Sequence, residues 1–300
     1  MTMRPFKPMS PLQTDRLPQG AEWGFQLKWD GYRLIANVEE GGVRLFTKNM
    51  LPAEGKFPEI AKALSSLPGK LLLDGEAVVL DPATGRPSFQ LVQQRNKAAG
   101  ASGIRRAADK LPVQYIVFDV LRIGEEDLRS LPFEERDRRL RELAADWQAP
   151  LFTTDLFPDG TALWQWVQAN GWEGIVCKRL SSAYREGKEH RDWYKRKSMP
   201  EFDVEIVGLV WREGRVASMI MKENGDYFGR VSSGLNGALK DKLRQLDASD
   251  AMEGHLPRKP PTARGERIRW LGVPIGARVT GSEVTDEGVL RHPKLISLDL

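Results

Sequence analysis

The first residues to suggest chemistry are Lys28-Trp29-Asp30-Gly31-Tyr32-Arg33, a lysine set ahead of an Asp-Gly turn dipeptide with an arginine soon after. A lysine amine attacks an electrophile only after losing its proton, which nearby cations or a dry pocket encourage. A tight turn would present such an amine rigidly. Taken alone, the same residues also fit an ordinary exposed hairpin. Leu71-Leu72-Leu73-Asp74-Gly75-Glu76 inserts two carboxylates into an otherwise apolar strand. Buried, they would need a cation or a metal; in a bulge at a sheet edge they would sit in water. Tyr115-Ile116-Val117-Phe118-Asp119 ends an apolar strand on Phe118, which could stack on a base or simply fill a core. Glu173-Gly174-Ile175-Val176-Cys177-Lys178 sets another carboxylate before a buried strand. In Trp193-Tyr194-Lys195-Arg196-Lys197 the alternation of a strand puts Lys195 and Lys197 on one face, where they would flank a phosphate or form a solvated basic surface.

These residues need elements to hold them. Residues 24–38 read as a strand pair turned at Asp30-Gly31, and 43–47, 71–80, 113–120 and 175–178 as further strands. Ile60, Leu64 and Leu67 share one face of a helix over 57–67. Helices are expected over 132–145, with i,i+4 charge pairs on a solvated face, and over 161–170, stopped by Gly171. After Pro200 the texture changes. Strands at 203–211, 216–222, 227–231, 268–271 and 277–284, with a helix at 236–246, suggest a small barrel of the OB type. The expected fold is therefore α+β, with a first domain over residues 1–199 and an all-β domain over 200–300.

Bulk properties narrow the class. The chain has 300 residues, 41% hydrophobic and 29% charged, enough for real cores and a solvated surface. No apolar run of membrane-spanning length and no signal-like segment occurs. The single Cys177 allows neither an internal disulfide nor a cysteine-based zinc site, which fits a reducing cytoplasm. His190, His255 and His292 are too scattered for a metal site. A net charge of +4 raises the odds of a polyanionic partner without establishing one.

Order and spacing carry more than any single motif. Lys28-Trp29-Asp30-Gly31, Thr47-Lys48-Asn49, Asp74-Gly75-Glu76, Phe118-Asp119, Glu173-Gly174-Ile175-Val176-Cys177-Lys178 and Trp193-Tyr194-Lys195-Arg196-Lys197 follow one another as the signature series of the covalent nucleotidyltransferases. The sequence resembles that superfamily over nearly its whole length. Within it, Trp29 to Arg33, Glu173 to Val176 and Leu290-Arg291-His292-Pro293 look most like the ligase domain of bacterial end-joining, ATP-dependent DNA ligases.

The resemblance implies an ATP-grasp-like adenylation domain followed by the OB-type barrel, and an enzyme that seals 3′-OH/5′-phosphate nicks in duplex DNA during repair. Lys28 would take AMP from ATP. Arg33 would hold a phosphate of the nucleotide or the nick, and Lys48 the ribose or the 5′-phosphate. Glu76 would hold the ribose or a metal, Phe118 would stack on adenine, and Glu173 would bind Mg²⁺ or Mn²⁺. Lys195 and Lys197 would hold the α-phosphate. Two departures stand out: Gln26 replaces the glutamate common at its position, and a terminal R-x-D-K motif is missing, with Arg291 or Lys294 as substitutes. The stretch before Lys28 is too short for a helical DNA-binding domain, so both domains are expected to grip DNA through phosphates. Gln93-Gln94-Arg95-Asn96-Lys97, Arg105-Arg106, Arg212, Arg215, Lys222 and Arg230 are the candidate contacts. The resemblance further implies a monomer helped by a Ku-like end-binding protein. The rival readings are an RNA ligase or capping-type guanylyltransferase, and a non-catalytic nucleic-acid-binding protein.

Overall fold

A computed structural model gives the structure of residues 6–187, 189–250, 256–257, 260–281, 283–285 and 287–300; His255 lies outside them. The chain separates into two units, Met1–Ser198 and Met199–Leu300. The first runs β1 (Ser10–Gln13), β2 (Trp23–Leu27), β3 (Tyr32–Glu39), β4 (Gly42–Thr47), α1 (Pro58–Ser65), β5 (Leu71–Val78), α2 (Phe89–Lys97), α3 (Ala101–Lys110), β6 (Gln114–Ile123), β7 (Glu126–Asp127), α4 (Phe133–Leu143), β8 (Leu151–Thr153), α5 (Gly160–Asn170), β9 (Gly174–Arg179) and β10 (Glu189–Lys197). Two sheets result, ordered β1-β10-β9-β2 and β4-β3-β5-β6-β7, the second with β8 alongside β6.

Side-chain alternation decides what each sheet face carries. Leu34, Ala36 and Val38 on β3, Leu71, Leu73 and Ala77 on β5, and Tyr115 and Val117 on β6 form the main core with Ile60 and Leu64 of α1. The intervening positions, Arg33, Asp74 and Glu76, therefore face the other way. Glycine at position 75 is required by space: a Cβ there would lie 2.7 Å from the Ile116 carbonyl oxygen and from the Tyr115 ring. β5 is an interior strand, paired with both β3 and β6, so the edge-bulge alternative for Asp74 and Glu76 does not hold.

The lysine turn differs from its expected form. β2 and β3 are present, but they do not pair with each other. β2 pairs with β9, and β3 with β4 and β5. Residues 28–31 thus carry the chain from one sheet to the other. The backbone N–H of Lys28 is satisfied by Gly174 O at 2.9 Å rather than by a hairpin partner. α5 follows expectation: the Asp159 carboxylate accepts from the N–H groups of Thr161 and Ala162, and Gly171 ends the helix in a left-handed turn at φ 63°. On α4 the expected pairs form at Arg138–Glu142, Arg139–Glu135 and Arg141–Asp137. The helix is not solvated all round, because Arg136 is fully buried against Asp119.

The second unit runs β11 (Glu201–Arg212), β12 (Arg215–Glu223), β13 (Asp226–Val231), α6 (Gly237–Arg244), β14 (Ala248–Ser249), β15 (Glu266–Thr280), β16 (Glu283–Val284), β17 (Leu290–Arg291) and β18 (Lys294–Leu298). Its main sheet is ordered β13-β12-β11-β15-β14, with β18 paired to β15, and no closed barrel is seen among the described residues. The two strands expected at 268–271 and 277–284 are largely one, β15; its register against β11 slips between Ile206 and Gly208, which absorbs the Gly272-Val273-Pro274 interruption. Among the described residues no helix is long and apolar enough to cross a membrane.

Candidate active site

The two sheets of the first unit enclose a pocket of about 200 Å³ lined by Gln26, Lys28, Trp29, Arg33, Lys48, Glu76, Phe118, Val176, Lys178, Trp193 and Lys195, with Ser10 and Pro11 at one side. One wall is the β2-β9-β10 surface. Gln26 and Lys195 lie opposite Val176, and Trp193 lies opposite Lys178, so the lining residues are every second residue of paired strands. The reverse face of that sheet, with Phe25, Ile175 and Cys177, packs on Leu163 and Val167 of α5. The other wall is the β3-β5-β6 surface with Arg33, Glu76 and Phe118. Phe118, next to core residue Val117, faces the pocket by alternation, and a bulge follows it. The β5–β6 register shifts between Asp74 and Gly75, and β6 switches from Tyr115 and Val117 in the core to Val120.

Lys28 and Lys197 converge on Glu173. Lys28 Nζ donates to Glu173 Oε2 at 2.6 Å, and Lys197 Nζ lies 3.0 Å from Glu173 Oε1. Glycine at 174 makes this possible, because its φ of 150° brings the strand within 2.1 Å, for any Cβ, of the Arg196 carbonyl oxygen. Lys195 stands beside them, its pKa lowered by burial and then by Lys28, Lys197 and Lys48. A concentration of ammonium groups on one wall is what a polyphosphate requires.

The opposite wall holds its charges in fixed pairs. Arg33 clamps Asp74 with two bonds, Nε to Oδ1 at 2.9 Å and Nη2 to Oδ2 at 2.6 Å, and the Tyr184 hydroxyl donates to Oδ2 at 2.7 Å. Arg33 also lies 5.4 Å from the Phe118 ring centre. Among the described residues Glu76 has no such clamp. Burial pushes its pKa up to about 8 against the pull of Lys28 and Arg33, with Glu173 and Asp74 adding to the rise. Asp30 is raised by burial and by Glu173, while its carboxylate accepts the Phe89 N–H that opens α2.

Lys178 belongs to the site although the sequence reading gave it no role. It closes the Glu173-to-Lys178 motif and shares a face with Val176, which was the available signal. Only 1% exposed, it donates to the Phe118 carbonyl oxygen at 2.9 Å and lies 4.3 Å from the rings of both Phe133 and Trp193. Burial lowers its pKa to about 8, with Asp119 opposing and Arg136 reinforcing. Trp29 was also passed over; its indole N–H donates to the Thr154 hydroxyl at 3.0 Å and its ring meets Trp172 edge-on.

The proposed DNA contacts divide sharply. Arg95 is fully buried and bonds Glu59 of α1, so it cannot face a duplex. Lys222 and Arg230 are engaged by Glu205 and Glu266. Gln93, Gln94, Lys97, Arg105, Arg106, Arg212 and Arg215 are exposed, and Asn96 is half-buried.

Comparison with known proteins agrees with this geometry. Residues 9–197 match the ATP dependent DNA ligase domain. The multifunctional non-homologous end joining protein LigD of Pseudomonas aeruginosa is 31% identical over 289 residues, covering 92% of this chain and 33% of that protein. The bifunctional non-homologous end joining protein LigD of Bacillus subtilis is 30% identical over 271 residues, 84% of this chain and 43% of that protein. The chain thus spans between a third and a half of the length of these curated relatives. A mycobacterial DNA ligase D solved with ATP and MES is 31% identical, with a TM-score of 0.57 over 98% of this chain and 94% of that one.

Proposed function

The chain belongs to the ATP-dependent DNA ligase domain family, and from that premise we propose that it seals nicks in duplex DNA through AMP carried on Lys28. The observation that carries the reading is the convergence of Lys28, Lys195, Lys197 and Glu173 on one wall of a pocket whose other wall offers Phe118. Adenine stacks against Phe118, Gln26 meets its edge, and Lys195 and Lys197 draw the α-phosphate towards Lys28. Arg33, with Nε and one amino group spent on Asp74, offers its other amino group to a phosphate. Lys48, exposed at the rim, meets the ribose or the 5′-phosphate, as a point charge without the fork of arginine.

In the first step the Lys28 amine, neutral at the moment of attack, forms a bond to the α-phosphorus while pyrophosphate departs in line. AMP then passes to the 5′-phosphate of the nick, and the 3′-hydroxyl expels it. The protein's contribution is positioning and charge stabilisation. Glu76 and Glu173 fit a divalent cation, because they are hard oxygen donors, and burial, with Glu173 adding to it, leaves Glu76 with a raised pKa. Among the described residues no three carboxylate, histidine or cysteine side chains form a complete cage. Such an ion, Mg²⁺ or Mn²⁺, would complete its shell with phosphate oxygens and neutralise charge on the transferring group.

The second unit is read as an OB-type barrel. Supporting this are the five longer strands β11, β12, β13, β15 and β18, the helix α6 after the third, and a parallel bridge from Ser233 to Lys294 between the ends of the strand path. The first unit is the adenylation domain, and 198–201 its hinge to the second. A monomer acting in the cytoplasm beside a Ku-like end-binding protein completes the proposal, supported by the end-joining names of the relatives. The test is incubation with α-labelled ATP and Mg²⁺, then nicked DNA. Acid-stable label discharged on sealing supports the reading. A protein freed of prior AMP by pyrophosphate that neither takes label nor seals refutes it.

A further inference from the structure

We propose that the nucleotide pocket of this chain accepts 6-oxo purine nucleotides, inosine triphosphate foremost, alongside ATP, and that Gln26 is the residue that makes it permissive. The inference rests on the reading of the pocket as a nucleotide site and deepens it.

Gln26 is only 2% exposed, in the interior of the β2-β9-β10 wall, on the same strand face as the pocket-lining Val176 opposite it. Its Nε2 is buried and has no hydrogen-bond acceptor among the described residues. A buried amide donor without an acceptor retains its desolvation cost, so the site is completed by a ligand atom that accepts. Around Gln26 the lining is flat and apolar: Val176 on its own wall, Trp193 beyond it, Phe118 across the pocket. That surface suits the plane of a purine, with the amide at its edge.

A carboxamide carries a donor and an acceptor side by side. Against adenine, its oxygen accepts from the 6-amino group while its NH₂ donates to N1. Rotated by half a turn about its last torsion, it donates to the 6-oxo group of hypoxanthine and accepts from N1–H. Both edges are then met by two bonds, at no cost beyond the rotation. A carboxylate in the same place could only accept, so it would bond one hydrogen of either edge, the 6-amino group of adenine or N1–H of hypoxanthine, and oppose the lone pair beside it. The lysines of the pocket meet phosphates and do not read the base. The chemistry with the alternative nucleotide balances identically. The Lys28 nitrogen lone pair forms the N–P bond, the electron pair of the broken P–O bond leaves with pyrophosphate, and the amine proton goes to solvent.

The test is competition for covalent labelling. Wild-type protein, stripped with pyrophosphate, is incubated with Mg²⁺ and α-labelled ATP or α-labelled inosine triphosphate, beside Gln26→Glu and Lys28→Ala. The wild type should take both labels on Lys28 with rates within about tenfold of each other, since the rotated amide makes two hydrogen bonds to either base. Gln26→Glu should slow labelling by both nucleotides by about 10–100-fold while leaving their ratio within about tenfold, because a carboxylate satisfies one atom of either edge and opposes the other; unchanged rates with both would overturn the role given to Gln26. Wild-type protein that takes ATP but rejects inosine triphosphate by ~10³-fold or more overturns the proposal, whatever the variant does. Labelling by neither nucleotide refutes the ligase reading itself, and this inference with it.

Discussion

The two walls of the pocket handle charge in opposite ways. On the β3-β5-β6 wall, Arg33 is locked to Asp74, and nearby Arg136 is locked to Asp119, both carboxylates fully out of water. On the β2-β9-β10 wall, Lys28 and Lys197 share the single carboxylate of Glu173 at partly exposed positions, and Lys195 adds a third ammonium. Buried bidentate pairs fix geometry and resist rearrangement, because freeing either partner strands a charge in low dielectric. Partly exposed, mutually repelling cations exchange partners readily when a phosphate arrives. The charge pairs of the first wall are therefore fixed and those of the second exchangeable, and substitutions in the two sets should fail differently.

The largest effect is expected in the exchangeable set. Lys28→Ala should abolish covalent labelling and cut sealing by on the order of 10⁴-fold or more, as loss of a covalent nucleophile does. Its melting temperature should stay near that of the wild type, because Lys28 is partly exposed. A thermal scan beside the labelling assay reads both. Next comes the fixed set. Asp74→Ala leaves Arg33 buried without its partner and should cost about 3–5 kcal/mol in urea unfolding. An unfolding midpoint that does not move would break the distinction between the walls.

Much of this division was legible in the sequence, and the exceptions have physical causes. Strand alternation alone put Lys195 and Lys197 on one face, and the apolar run around them put Asp74 and Glu76 inside one strand. Sequence could not show that Asp30-Gly31 spans two sheets, because a turn dipeptide reports local backbone shape and not the partner of the following strand. Phe118 was ambiguous for a related reason, since both faces of its strand are covered and alternation alone does not say which face lines a pocket. Arg95 looked like a surface cation because charge in a polar helix predicts solvent; its burial depends on Glu59, on a separate helix. α2 and α3 went unread, their sequences being polar or small and burying only Val92 and Arg95 between them. Lys178 was hidden in the opposite sense: an apolar strand ending in lysine suggests a solvent-facing end, yet three aromatic rings and a carbonyl enclose it.

Two smaller effects sharpen the comparison. Lys197→Met should slow labelling by about 10–100-fold, through lost charge on the transferring phosphate. It should change stability by no more than about 1 kcal/mol, because its ion pair is nearly half-exposed. Lys178 should show itself in the pH dependence of stability. Its folded pKa of about 8 lies below the ordinary value of 10.5. Between those values the unfolded chain holds a proton that the folded protein has released, so this residue makes stability rise with pH. Below pH 8 the full penalty of a buried ammonium applies. Subtracting the urea stability of Lys178→Met from that of the wild type should give a difference that climbs across that window. A flat difference would mean that the rings and the Phe118 carbonyl compensate the charge completely.

The central claim is that Lys28 is the residue that carries the nucleotide. Peptide mapping by mass spectrometry, after pyrophosphate stripping and a single exposure to ATP and Mg²⁺, tests it most directly. One adenylyl group on the peptide bearing Lys28, removed on addition of nicked DNA, is the expected result. An adduct on Lys178, Lys195 or Lys197 instead, or sealing that proceeds without any adduct, would contradict the account.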